Sequence, residues 1–121
     1  MEESVLRDKA KAFAKESVFL CRKLKENHAE TVLINQLLRS ATSVGANVHE
    51  AEYAQGKKDF ISKFEIALKE CNESDYWLTL LYETGSLSKA EYDRFVSLCI
   101  ELRRMLVASV KTLKSKPNAV R

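Results

Sequence analysis

Residues 88–117, SKAEYDRFVSLCIELRRMLVASVKTLKSKP, carry the clearest structural signal in this chain. Mostly apolar residues recur there at steps of three and four, as they do along one face of an α-helix. These residues are Tyr92, Phe95, Cys99, Leu102, Leu106, Ser109 and Leu113. Ser88 and Glu91 have the spacing of a capping box, and Pro117 disfavours continuation of the helix. The segment therefore predicts one long amphipathic helix.

Three further stretches with the same period precede this segment, separated only by short polar breaks. The four predicted helices cover about residues 3–26, 30–54, 57–84 and 88–114. Gly85 is suited to end the third helix, because glycine has no Cβ that opposes a left-handed backbone. We expect residues 1–121 to form a single all-α domain, an antiparallel up-and-down four-helix bundle.

The composition is that of a soluble globular protein, with 45 % apolar and 31 % charged residues. No apolar run approaches the roughly 18 residues that are needed to cross a bilayer. The N-terminal segment is mixed in charge and lacks the apolar run of a signal peptide. We therefore expect a cytoplasmic protein that does not bind membranes.

Sequence patterns typical of catalysis are missing. Neither His28 nor His49 has a glutamate three residues before it, so the metal motif of di-iron bundles is absent. The zinc-protease pattern and glycine-rich phosphate loops are absent too. The three cysteines, Cys21, Cys71 and Cys99, lack CxxC spacing and lie on apolar stripes, which predicts buried reduced thiols. We expect a protein that is not an enzyme and that binds no metal, cofactor or small-molecule substrate.

The net charge of +3 is unevenly distributed. The first predicted helix and the segment after Glu101 are basic, whereas the region between Val44 and Glu101 is acidic. In an up-and-down bundle the two basic segments would converge at one end of the molecule. The residues that we expect to contact nucleic-acid phosphates are Arg7, Lys11, Lys15, Arg22, Arg103, Arg104, Lys111 and Lys114. The alternative is an ordinary solvated helix face.

Apolar residues are more numerous than one bundle core requires, and several recur at helical spacing outside the core stripes. This second set consists of Val5, Ala12, Phe19, Trp77, Val96, Ile100 and Val107. We predict that these residues form a homo-oligomer interface. A wide core stripe on tilted helices is the alternative.

The outward face of the second predicted helix differs, because it carries short side chains between two charges, Arg39 and Glu50. It could contact a neighbouring helix or be merely solvated. Gly45, in the middle of this helix, indicates either the close approach of another backbone or an exposed position.

Residues 38–51, LRSATSVGANVHEA, resemble the signature of the bacterial four-helix bundle proteins encoded by intervening sequences of 23S ribosomal RNA genes. The resemblance spans roughly residues 5–115. It continues in the segments KDFI (58–61), ALKE (67–70), ESDYWL (73–78) and GSLS (85–88). The chain departs from the family at Ala51-Glu52, where many members have glycine, and at Gly56, where a serine cap is common.

The resemblance implies a homopentamer of antiparallel four-helix bundles around a central channel. The same family includes the accessory variability determinant of diversity-generating retroelements, which binds reverse transcriptase and nucleic acid through a basic surface. We therefore expect a non-catalytic oligomer that binds RNA or a nucleoprotein partner. A protein-interaction scaffold without nucleic-acid binding is the alternative.

Overall fold

In the computed structural model, each helix buries one stripe of apolar and small side chains, and the four stripes meet in a common core. The structure describes residues 2–116. Its helices are α1 (Glu2–Glu26), α2 (Thr31–Ala51), α3 (Lys57–Glu83) and α4 (Lys89–Ser115). No strand occurs in this range, which confirms the predicted all-α four-helix fold. Pro117 lies outside the described residues.

Contacts between neighbouring helices join early residues of one helix to late residues of the other, so the helices run antiparallel. The pairs that establish this order are Arg7–Glu52 and Cys21–Ile34 for α1 and α2, Glu65–Lys114 and Tyr82–Tyr92 for α3 and α4, and Lys9–Glu101 and Lys23–Glu91 for α1 and α4. The short segment 52–56 joins α2 to α3, which contact each other extensively. This arrangement is that of antiparallel helices in which each contacts two neighbours.

The seam between α1 and α4 differs from the other three, because these helices meet at fewer places. Among the described residues, three ion pairs cross it: Lys9–Glu101 at 3.0 Å, Lys23–Glu91 at 2.6 Å, and Glu16–Arg94. Exposed pairs of this kind each contribute at most about 1 kcal/mol to stability. The seam is therefore held mainly by the apolar residues beneath it, including Phe13 and Phe95, whose ring centroids are 6.5 Å apart.

The capping signals read from the sequence are present in the structure. The Ser88 hydroxyl accepts a hydrogen bond from the Glu91 N–H at 3.1 Å, and the Glu91 carboxylate accepts one from the Ser88 N–H at 3.0 Å. Gly85, two residues after the end of α3, has a φ of 89°, and the Ser86 N–H donates to the Leu81 carbonyl at 2.8 Å. The capping box and the glycine helix terminus are thus confirmed.

Helix α2 ends at Ala51, three residues earlier than the sequence pattern predicts. The N–H groups of residues 52–54 donate to carbonyls three residues before them, so the chain tightens into turns instead of continuing the α-helix. Gly56 then adopts a φ of 151°, and no side chain caps α3. The Gln55 N–H donates to the Asp59 carboxylate at 3.1 Å, which ties the preceding loop to the first turn of α3.

The buried stripe of α4 also differs slightly from the prediction. Its buried members are Phe95, Cys99, Leu102, Leu106 and Val110. Tyr92, Ser109 and Leu113, which the sequence pattern assigned to this stripe, are only half-buried. Two steps of four from Leu102 lead to Val110, so Val110 takes the inward position expected for Ser109.

Gly45 lies where α1 and α2 approach each other closely. A Cβ atom at this position would lie 3.4 Å from the Ala10 carbonyl oxygen and 3.6 Å from the Ala14 Cβ. Small residues on both helices therefore allow their backbones to come together. Of the two interpretations of Gly45 left open by the sequence, the structure supports close helix approach.

Three serines are completely buried in the core: Ser17, Ser40 and Ser74. The Ser74 hydroxyl donates to the Ser40 hydroxyl at 2.9 Å, and the Ser40 hydroxyl donates to the Leu37 carbonyl at 3.2 Å. The Ser17 hydroxyl has no hydrogen-bond partner among the described residues. A buried polar group without a partner opposes folding, because it loses hydration without compensation.

We predict opposite effects for two substitutions of buried serine. Ser17→Ala should raise the free energy of unfolding by about 1 kcal/mol, because it removes an unsatisfied buried hydroxyl. Ser74→Ala should lower it by about 1 kcal/mol, because it breaks the bond to Ser40. Urea denaturation of both variants measures the difference. Equal destabilisation by the two changes would contradict the assignment of Ser17 as unsatisfied.

A second prediction concerns the start of α4. Ser88→Ala should lower the free energy of unfolding by about 1 kcal/mol, because the Glu91 N–H loses its acceptor. Ser97→Ala is the matched control, since Ser97 is exposed in the middle of the same helix. Chemical denaturation should leave this control unchanged or slightly stabilised.

Candidate nucleic-acid interface

The first predicted group of phosphate-binding residues forms a row on α1. Lys11, Lys15 and Arg22 are exposed, and their spacing of four and seven residues places them on one face of the helix. None of the three forms an ion pair with another residue between positions 2 and 116. These cations therefore remain available to an anionic partner. We call them the α1 cation row.

Three of the other predicted cations are engaged within the chain. These are Arg7, which contacts Glu52 at 3.2 Å, Arg103, which contacts Asp75 at 3.7 Å, and Lys114, which contacts Glu65 at 2.9 Å. Arg103 also donates to the Asn72 side-chain oxygen at 3.0 Å. The Arg103 and Lys114 pairs join α4 to α3, and the Arg7 pair joins α1 to the segment after α2. An incoming phosphate would therefore have to compete with a carboxylate that is already in place.

The remaining two predicted cations, Arg104 and Lys111, are exposed on α4 and form no ion pair with a described residue. They lie far from Arg22 along the bundle axis, although Arg104 is at the same end of the bundle as Lys11. The Lys9–Glu101 pair places Arg104 near the start of α1, whereas the Lys23–Glu91 pair places Arg22 at the opposite end of the bundle. The expected convergence of all eight cations at one end is therefore wrong for Arg22.

A groove of about 620 Å³ lies between α1 and α2 beside this row. Its lining includes the small residues Ala14, Gly45 and Ala46, which leave space between the helices. Two basic and three acidic side chains also line it: Arg7, Lys11, Asp8, Glu50 and Glu52. These five side chains together carry one net negative charge, so the groove itself does not favour a phosphate.

The predicted interface residues are all at least partly accessible, but they occupy three different surfaces. Val5 and Phe19 are 44 % and 55 % exposed, and together with Ala12 they border the α1–α4 seam. The half-buried residues Val96, Ile100 and Val107 lie on the same side of α4 as Arg103, which contacts α3. They therefore form a surface separate from that of Phe19.

Trp77, the seventh predicted interface residue, has partners within the chain. Its side chain packs partly against the core, and its Nε1–H donates to the Glu73 carboxylate at 3.2 Å. Arg39 of α2 contacts the same carboxylate and also lies 3.2 Å from Glu70. These donors lower the pKa of Glu73, first through Trp77 and then through Arg39.

The sequence pattern placed Arg39 on the outward face of the second helix, but it did not reveal this α2–α3 network. Glu70 and Glu73 are separated by three residues and so share a face of α3. That spacing could have indicated a pair of carboxylates available to a cation on a neighbouring helix. The register that brings this face to Arg39, however, depends on how α2 and α3 pack.

Reactive side chains are sparse in the part of the chain that is described. No group of three or more His, Cys, Asp and Glu residues between positions 2 and 116 is arranged to hold a metal ion. The three cysteines are free and buried, as predicted, and burial raises the pKa of the Cys21 thiol to about 11. A thiol with a raised pKa carries little of the thiolate that reacts as a nucleophile. None of the four described helices is long and apolar enough to cross a membrane.

Comparisons with known proteins place the chain among its relatives. It matches a crystal structure of a protein of unknown function from the S23 ribosomal protein family of Bacteroides thetaiotaomicron, with a TM-score of 0.89 and 41 % sequence identity. The match covers 92 % of this chain and 99 % of that one. Curated proteins gave no match. The sequence model of the 23S rRNA-intervening sequence protein family matches residues 2–108, and the chain therefore belongs to that family.

Proposed function

We propose that this protein is a non-catalytic homo-oligomer that binds RNA through phosphate contacts from the α1 cation row. The observation that carries the proposal is the availability of Lys11, Lys15 and Arg22 beside the many cations that are paired within the chain. Exposed lysine and arginine side chains at helical spacing neutralise phosphates without reading base sequence. RNA is proposed because the family is named after intervening sequences of 23S rRNA.

Self-association would strengthen this electrostatic effect. One chain carries a net charge of only +3, which gives a modest field. A closed ring repeats the α1 cation row once in each subunit, so that several rows act together on a long anionic polymer. The resemblance noted above implies five subunits. The apolar side chains around Val5 and around Ile100 lie on different sides of the bundle, as head-to-tail contacts in a ring require. Phe19 lies about 21 Å from Val5 along α1, so a contact at the Val5 end can leave its ring accessible.

A protein-interaction scaffold is the second candidate, and the outer surface of α3 favours it. Ile66 and Tyr76 are 38 % and 59 % exposed there, close to acidic residues such as Glu73 and Asp75. A partner that docks on this surface would not need the α1 cation row. The two candidates are therefore separated by charge reversal on α1.

The RNA proposal is tested with one reversed charge. Lys15→Glu should weaken RNA binding and flatten its salt dependence, because a phosphate contact becomes a repulsion. Lys69→Glu is the matched control, since Lys69 is exposed on α3 and forms no ion pair with a described residue. Fluorescence anisotropy between about 50 and about 200 mM salt measures both effects. Wild-type affinity that stays constant over this range would rule out phosphate contacts.

The assembly proposal has its own test. Wild-type protein should sediment as a multimer at micromolar concentration, and Ile100→Glu should shift it towards monomer, because a buried charge opposes association. Val32→Glu is the control, because Val32 is 69 % exposed and lies outside the predicted interface. A monomeric wild-type protein in analytical ultracentrifugation would overturn the proposal.

A further inference from the structure

Three aromatic side chains are largely exposed in the part of the chain that is described: Phe19, Tyr53 and Tyr76. Tyr53 is close in sequence to Glu50 and Glu52, and Tyr76 is close to Glu73 and Asp75. Phe19 alone of the three has mainly basic neighbours. This difference in charge separates Phe19 from the other two exposed rings.

The surroundings of Phe19 are set by the helical period. Lys15 lies four residues before it and Arg22 three residues after it, so both side chains reach the same face of α1. The Arg22 guanidinium carbon lies 5.8 Å from the centre of the Phe19 ring, and 55 % of Phe19 remains exposed. An aromatic face is thus accessible between two cations that form no ion pair with a described residue.

A nucleobase fits this combination better than an apolar peptide does. Bases stack on aromatic side chains while lysine and arginine contact the phosphates on either side. Lys15 and Arg22 are separated along the helix axis by about 10 Å, with Phe19 between them. An apolar peptide would gain from Phe19 but would leave both cations without an anionic partner.

The same geometry discriminates between strands. In a duplex the bases are already stacked on one another and are not free to meet a side chain. A single strand can turn a base outward onto the ring. We infer that Phe19 is a base-stacking residue flanked by phosphate contacts from Lys15 and Arg22, and that the protein prefers single-stranded RNA over duplex RNA. This inference rests on the proposed function, because it assumes that RNA binds the α1 cation row.

Phe19 is also one of the residues predicted from the sequence to lie in the oligomer interface, and the stacking role requires that its ring stays accessible in the assembled protein. Val5 and Ala12 lie on the same side of α1, seven and fourteen residues before it. The test must therefore report assembly as well as binding.

The test uses full-length protein and two RNA probes, a labelled unstructured single strand and the same strand annealed to its complement. Phe19→Ala should weaken single-strand binding between about fivefold and about a hundredfold, the range measured when a stacking aromatic is removed. Duplex binding should change by less than about twofold, because phosphates dominate it. Phe19→Tyr should retain wild-type affinity, since it keeps the aromatic face.

Two controls distinguish base stacking on Phe19 from the loss of any exposed ring or of apolar contact. Tyr76→Ala removes an equally exposed ring from acidic surroundings and should leave both affinities unchanged. Phe19→Leu keeps an apolar side chain without a π-face and should behave like Phe19→Ala. Unchanged single-strand binding by Phe19→Ala, with binding lost in Lys15→Glu, would overturn the stacking role alone. Loss of assembly by Phe19→Ala would also overturn it, whereas absence of RNA binding by wild-type protein would overturn the proposed function.

Discussion

Burial of one apolar stripe on α1 is the constraint on which the rest of the surface depends. Leu6, Ala10, Phe13, Leu20 and Leu24 are almost completely buried, so the rotation of α1 about its own axis is fixed. Once these residues face inward, the side chains of the α1 cation row must face solvent. The close approach of α2 at Gly45 adds to this constraint, because Gly45 lies against Ala10 and Ala14 of α1. Core packing thus determines which cations are available to a partner.

The fold was predictable from local signals, and its errors have physical causes. The capping box at Ser88 and the glycine at position 85 depend only on residues nearby in sequence, and both were identified correctly. The end of α2 was placed too late, because the apolar period continues to Ala54 while the backbone tightens after Ala51. Ser109 was assigned inward where Val110 is buried, since an ideal period drifts over a long helix.

The candidate site was predictable only as a set of residues. Helical spacing showed that cations cluster on α1 and α4, but it could not show which of them have partners. Arg7, Arg103 and Lys114 pair with carboxylates of other parts of the bundle, and such pairs depend on the register between helices. The separation of Arg22 from the α4 cations has the same origin. This separation depends on where each residue lies along the bundle axis, and helical spacing within one segment gives no information about that.

The weaker contact between α1 and α4 has a consequence for motion. A closed bundle opens first where the fewest contacts must break, and this seam has fewer than any other. Local separation there would leave α2 and α3 together and would bring water to the rings of Phe13 and Phe95. Amide protons of α1 and α4 should then exchange with solvent sooner than those of the α2–α3 pair. In this respect the bundle resembles a layer of four helices in chain order whose first and last helices make the weakest contact.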